Sequence, residues 1–326
     1  MRGWGPCGWS STLRTPTRII NFFLSCIHSH FEVKLTFMIG AEQRGGIKDR
    51  VIKAGIDIFT RTDPPESRKS IWDRFPELKK IPEDRWPQNV FIIPDGNGRW
   101  AQARKLAVQA GHEKGAQVIV DVLTDASQLA DLIPFIGAWG LSMDNLKRDK
   151  EERDFLMELF GKTVQKLRPD LIKRNQQFVH IGRPEIFEDY PHIEDVFRNA
   201  EEETKNNTGQ TIYIAIGFSG DDQELRINRE IVKMVHKGQI IDPAIDINPE
   251  LIKSLRDGQG LIPPADLIIR SSGEQRLSGL GWIGEGSELY FEQTLFPNVG
   301  TKHLVKAILG YSKRDRRFGE RSEKDK

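Results

Sequence analysis

Three short runs of this chain combine acids, arginines, hydroxyls and glycines in ways that could handle phosphate. Pro94-Asp95-Gly96-Asn97-Gly98-Arg99-Trp100-Ala101 closes a predicted strand. Its two glycines let the backbone turn tightly and present N–H groups to an anion, and Arg99 adds a fork of donors suited to phosphate. Asp95 is out of place beside an anion unless it holds a divalent cation that bridges it to phosphate oxygens. Arg270-Ser271-Ser272-Gly273-Glu274-Gln275-Arg276-Leu277-Ser278 also follows a predicted strand, and Leu141-Ser142-Met143-Asp144-Asn145-Leu146-Lys147-Arg148 is a third such run. Singly, each has a plainer explanation: a DG/NG turn with a capping aspartate, or arginines solvated on a loop. Together they imply a site for two phosphorylated ligands and a metal. The common nucleotide motifs are absent, with no GxxxxGK[ST] and no GxGxxG after the first strand, and Gly258 and Gly260 lead only into Leu261-Ile262-Pro263-Pro264.

Positioning three strand ends in one place requires a sheet. Short apolar runs at 90–93, 135–141, 178–181, 212–218, 267–269 and 288–291 predict strands, and 112–129, 151–173, 193–205 and 225–236 read as helices between them. Strands alternating with helices predict an α/β fold: a single domain with a central, mostly parallel β-sheet covered by helices on both faces. In such sheets ligands sit at the carboxyl ends of the strands.

The bulk properties bound the remaining classes. The 326 residues are 38% hydrophobic and 29% charged, a globular composition that excludes disorder, collagen and disulfide scaffolds. The net charge of +1 argues against a generally basic nucleic-acid binder, although a local cationic site can hide in a neutral total. Both cysteines, Cys7 and Cys26, fall in the first 37 residues, so thiol catalysis and zinc–thiolate sites are excluded from the long remainder. Residues 1–31 hold three arginines, seven serines or threonines and no acid. That bias marks a mis-called extension with a true start at Met38, or, less favoured, an organelle transit peptide, or, last, a secretory signal. The apolar run at 19–27 is too short to span a bilayer, which takes about twenty residues. Residues 47–59 (IKDRVIKAGIDIF) form an amphipathic helix that either packs on the body or lies on a membrane through its basic face. The proline-spaced stretch that follows reads as a connection. The expected organisation is an extension at 1–37, an amphipathic helix and linker at 38–88, a catalytic domain at 89–319 and a charged tail at 320–326.

With DGNGRWA, Gly111-His112, an S-x-x-N-x-x-R motif, R-x-x-G-E-x-R-L-S, S-E-L-Y-F and the terminal Arg314-Asp315-Arg316-Arg317-Phe318-Gly319, residues 88–319 resemble the cis-prenyltransferases, the undecaprenyl or polyprenyl diphosphate synthases. DGNGRWA and RxxGExRLS together are highly specific. The resemblance implies Mg²⁺ as cofactor, isopentenyl diphosphate and an allylic diphosphate such as farnesyl diphosphate as substrates, a hydrophobic tunnel and a homodimer. Carried over by position, Asp95 would hold the metal and Glu288 would complete its site. Gly96, Asn97, Gly98, Arg99 and His112 would cradle the allylic diphosphate, with Trp100 assigned beside them. Arg270, Arg276 and Ser278 would bind the isopentenyl diphosphate. Ser142, Asn145 and Arg148 would lie near the reacting centre, Asn145 as a catalytic residue, and the terminal arginines would reach the neighbouring subunit's site.

Several positions depart from the family pattern. Val108 stands where an arginine is usual, leaving Arg104 or Lys105 to substitute; Leu146 replaces an aromatic; and Ser219-Gly220-Asp221 replaces Gly-Gly-Arg. These are compatible with an unusual primer. A competing class is a non-catalytic scaffold subunit of a heteromeric enzyme, but that would be expected to lose Asp95, Arg99, Arg270 and Arg276, all present here. The location expected is cytoplasmic with peripheral membrane contact.

Overall fold

Every residue of strand β1 (Asn89–Ile93) is buried, because it lies inside a parallel sheet covered on both sides. The computed structural model describes residues 69–316, all within one unit, Ile58–Lys326. Five further strands complete the sheet: β2 (Phe135–Ser142), β3 (Gln177–Ile181), β4 (Thr211–Phe218), β5 (Leu267–Arg270) and β6 (Glu288–Phe291). The order is β3-β4-β2-β1-β5-β6 and every pairing is parallel. Alternation sends Val90 and Ile92 to one face and Phe91 and Ile93 to the other.

The first face carries four helices, α2 (Val108–Ala126), α3 (Lys150–Lys173), α4 (Pro191–Thr204) and α6 (Thr301–Tyr311), with the short α1 (Asn97–Gln102) ahead of α2. The second face is covered by loops as well as by a helix. Ile262, Ala265, Leu280 and Ile283, from the loops around β5, close it. There α5 (Gly220–His236) meets the loop where a Cβ at Gly220 would lie 2.4 Å from Gly281 Cα. Farther along the buried face of α5, Ile227 and Ile231 form a separate small cluster with Ile240.

The core extends further toward the amino terminus than a linker reading of 38–88 allows. Ile71, Leu78 and Trp86 are buried in the main cluster. Gln128 accepts from Ser70 Oγ and Ile71 N, and Arg74 pairs with buried Asp125 at 2.8 Å. The prolines break this stretch into short turns, Pro76–Lys80 and Glu83–Arg85, without releasing it from the body. The amphipathic stretch at 47–59, the extension at 1–37 and the tail at 320–326 lie outside the described residues. Among the described residues no helix is long and apolar enough to cross a membrane.

Candidate active site

Register brings two of the three motif runs together. Ile93 pairs with Arg270, so the loops leaving β1 and β5 emerge side by side at the carboxyl edge. Gly96 turns the first loop at φ 98°, and a Cβ there would lie 2.7 Å from Leu295 Cδ2, so both conformation and space call for glycine. Ser271 Oγ joins the loops, accepting from Asp95 N and donating to Asp95 O, each at 2.8 Å.

Asp95 is the hub. Its Oδ1 accepts from Arg99 at 3.0 Å and its Oδ2 from Arg270 at 2.9 Å. Partial burial works against ionisation, yet the hydrogen bonds from Arg270 and Arg99 outweigh it and hold the carboxyl below the usual aspartate range. The Arg270 side chain is only 6% exposed, and its fork also reaches Ser278 Oγ at 2.9 Å and the carbonyl of Arg276. Its Nε is buried with no partner, an unmet donor. Arg99 bonds Ser272 Oγ at 2.7 Å and Glu274 at 3.2 Å, and Glu274 also pairs with Arg276. Ser271, Ser272 and Glu274 were not singled out from the sequence, though all three lie inside the RxxGExRLS run, where an acid between two arginines was a readable sign.

The third run is re-aimed by irregular register between β2 and β4 at Trp139–Leu141 and Leu141–Ser142. Beyond it Ser142 N donates to Asn145 Oδ1 and Asn145 N donates to Ser142 Oγ, closing a compact turn. Arg148 reaches Glu152 at 2.8 Å, and His112 Nε2 lies 3.6 Å from the same carboxylate. Burial, then the Arg148 charge, push the His112 imidazole below its ordinary pKa against the pull of Glu152. Glu152 is the residue missed here, in the first turn of α3, four positions after Arg148.

Between these clusters opens a cavity of about 880 Å³, its mouth included. Pro94, Asn97, His112, Asn145 and Arg148 line its polar end. Ile119 on α2, Leu156, Leu159, Val164 and Leu167 on α3, and Phe197 on α4 line the rest. Leu156 to Leu167 spans about 16 Å of helix, so the cavity runs from the carboxyl edge down along α3. Asn97 sits at the rim because α2 carries glycines beneath it: a Cβ on Gly115 would be 2.6 Å from Asn97 Oδ1, and one on Gly111 2.1 Å from Asn97 O. That Oδ1 is buried without a partner.

Other expected residues are placed elsewhere. Trp100 does not line the cavity; its indole N–H donates to Asn298 at 2.9 Å and Arg104 stacks 4.3 Å above its ring. Arg104 is thereby occupied and does not stand in at Val108, which lies beside Gly98. Glu288 is a correction. Its partner in register is Leu267, at the amino end of β6, two strands across and on the order of 10 Å along the strand from the level of Ile93. Its carboxylate pairs with Arg314 at 2.6 Å, so within this chain it does not join Asp95. Arg316 pairs with Asp266 at the same edge, and residues 317–319 lie outside the described residues.

Comparison with known proteins accounts for this arrangement. Residues 93–319 match the family model described as "Putative undecaprenyl diphosphate synthase". The chain is 38% identical over 237 residues to an isoprenyl transferase of Thermotoga maritima, covering 72% of this chain and 97% of the relative. It is 32% identical over 235 residues to a ditrans,polycis-undecaprenyl-diphosphate synthase, (2E,6E)-farnesyl-diphosphate specific, of Micrococcus luteus, covering 72% and 91%. Among solved structures, lavandulyl diphosphate synthase from Lavandula x intermedia, in complex with dimethylallyl diphosphate, superposes with a TM-score of 0.67 at 32% identity, covering 73% of this chain and all of that one.

Proposed function

The chain belongs to the undecaprenyl diphosphate synthase family of prenyl-transferring enzymes, and from that premise we propose that it condenses isopentenyl diphosphate onto an allylic diphosphate to give a cis-polyprenyl diphosphate. The observation that carries this reading is an arginine-rich cluster around Asp95 whose loop neighbours, Pro94 and Asn97, line the polar end of a long apolar cavity. Phosphate donors and an apolar tunnel sharing one rim suit a substrate with a charged head and a hydrocarbon tail.

In this reading the amides of Gly96–Gly98, Arg99 and His112 hold the allylic diphosphate, with its chain directed past Asn97 into the cavity. Arg270, Arg276 and Ser278 hold isopentenyl diphosphate. The allylic C–O bond breaks, the C4 alkene carbon attacks C1, and a proton leaves C2 as the new cis double bond forms. Asn145 and Arg148, beside the reacting carbons, orient the second substrate. The apolar walls keep water from the allylic carbon as charge develops there.

The donor set fits Mg²⁺. Asp95 is a hard carboxylate oxygen held ionised beside a phosphate cradle, and among the described residues no three acidic, His or Cys side chains group into a self-sufficient metal site. Mg²⁺ is commonly held by one or two carboxylates together with substrate phosphates. When bound it would neutralise charge on the departing diphosphate. The reading also carries a homodimer and a cytoplasmic location with peripheral membrane contact. A homodimer is supported by exposed Leu225, Val232 and Val235 on α5, apolar side chains that a second copy would cover.

The test is direct. Purified full-length chain with Mg²⁺, farnesyl diphosphate and radiolabelled isopentenyl diphosphate is expected to yield butanol-extractable label. No label with any of several allylic primers would contradict catalysis and favour the scaffold class.

A further inference from the structure

One short segment touches both halves of the diphosphate site. Immediately after β6, residues 292–296 run between the two anion loops. Glu292 N donates to Arg270 O at 2.8 Å, Gly273 N donates to Glu292 O at 2.9 Å, and Ser272 N donates to Thr294 O at 2.9 Å. On the other side Phe296 N donates to Asp95 O at 3.0 Å, and Leu295 fills the space against Gly96. The Asp95 loop and the Ser271–Gly273 loop are thus moulded on a common backbone template.

What holds the template is a buried acid. Glu292 is 8% exposed, and its Oε1 accepts from both Thr294 N at 3.0 Å and Thr294 Oγ1 at 2.8 Å, while Oε2 faces the Tyr290 hydroxyl at 3.4 Å. A carboxylate bonding the backbone two residues ahead fixes a turn in the manner of an Asx-turn. Buried acids are seldom retained without partners of this kind. The mechanism above gives Glu292 no contact with substrate.

We propose that Glu292 is a positioning residue for both substrates: its carboxylate fixes the 292–296 turn, which seats the Asp95 loop and the Arg270–Ser278 loop in register for two diphosphates. This rests on the functional reading above. A residue serving only its own turn would change the amount of folded protein, whereas a shared template moves both substrate affinities together.

The experiment titrates magnesium pyrophosphate into full-length wild type, Glu292→Gln and Glu292→Met by calorimetry, with steady-state KM for each substrate and thermal midpoints alongside. Gln keeps the acceptor and is expected to bind within about threefold of wild type; Met keeps the bulk, strands Thr294 N–H, and is expected to weaken binding about tenfold while raising both KM values together. Wild-type binding by a folded Glu292→Met variant, or a rise in one KM alone, overturns the proposal. If Glu292→Met does not fold, Thr294→Val decides: a parallel rise of about threefold in both KM values supports the template, and unchanged values overturn it. Wild-type chain that bound no magnesium pyrophosphate would instead overturn the functional reading, and the inference with it.

Discussion

At the amino ends of the strands Asp266 pairs with Arg316, Glu288 with Arg314 and Asp315 with Arg85, each acid matched by one arginine. At the carboxyl ends two acids, Asp95 and Glu274, are shared among three arginines, Arg99, Arg270 and Arg276. The same residue types therefore leave one edge electrically closed and the other with a surplus cation and an unpartnered buried Nε. In the carboxyl-edge loop Ser272 at φ 73° and Ser278 at φ 52° also occupy the left-handed region. Such non-glycine residues cost on the order of 1–3 kcal/mol and tend to be kept where function needs them. The difference teaches how to tell a binding cluster from a structural one. Matched pairs reached by solvent add little beyond local order, whereas a cluster with more cations than acids beside a cavity has the charge to take an anion.

That contrast can be broken most severely at Arg270. Arg270→Met should lower kcat/KM by about 10²–10³, equivalent to about 3–4 kcal/mol of lost charge stabilisation. Label incorporation on folded protein checks it, and a loss below tenfold would make Arg270 another structural ion. A smaller effect is expected at Gly115→Ala, which touches no charge. Its Cβ would lie 2.6 Å from Asn97 Oδ1 and displace that side chain from the rim. A fall of about tenfold in kcat/KM is expected, since small misplacements of positioning groups are costly. Unchanged kinetics would remove Asn97 from the site.

The smallest effect concerns pH. The His112 imidazole is held below its ordinary pKa, first by burial and then by Arg148. Between that lowered value and about 6.5 the unfolded chain binds more protons than the folded one. Stability should therefore fall as pH drops through this window, with the whole penalty in place below the folded pKa. Buried His180 is shifted in the same direction and contributes to the same slope. Thermal midpoints of His112→Gln measured from pH 7 to 5 should decline less than those of wild type; identical slopes would show that His112 does not titrate this way.

Much of the scaffold was legible in the sequence because buried parallel strands read as unbroken apolar runs. All six strands lie within a residue of their expected limits. Helix α6 was not read: Gly300 precedes it with no side-chain cap, and the capping acceptor is His303 Nδ1, three residues inside. The 70–88 stretch looked like a linker because proline spacing hid its three anchors, Ile71, Leu78 and Trp86. In the site, motif composition located Asp95, Arg99 and Arg270, since Arg270 ends a strand and the other two lie in the turn and first helical turn after one. It misplaced Glu288 because the register of β6 decides which edge an acid occupies, and no motif carries register. Glu292 escaped notice because its partners, Thr294 and the Tyr290 hydroxyl, lie two residues away on a strand end and form no motif that points to a site.

The most direct measurement of the central claim pairs one acid from each edge. Asp95→Ala and Asp266→Asn are assayed together for Mg²⁺-dependent incorporation of isopentenyl diphosphate, with thermal midpoints recorded. Asp95→Ala is predicted to stay folded and lose about 10²–10³ in kcat, while Asp266→Asn lowers the midpoint and keeps turnover per folded molecule within about threefold. Undiminished turnover by Asp95→Ala, or an equal loss from both variants, would contradict the assignment of the active site to the carboxyl edge.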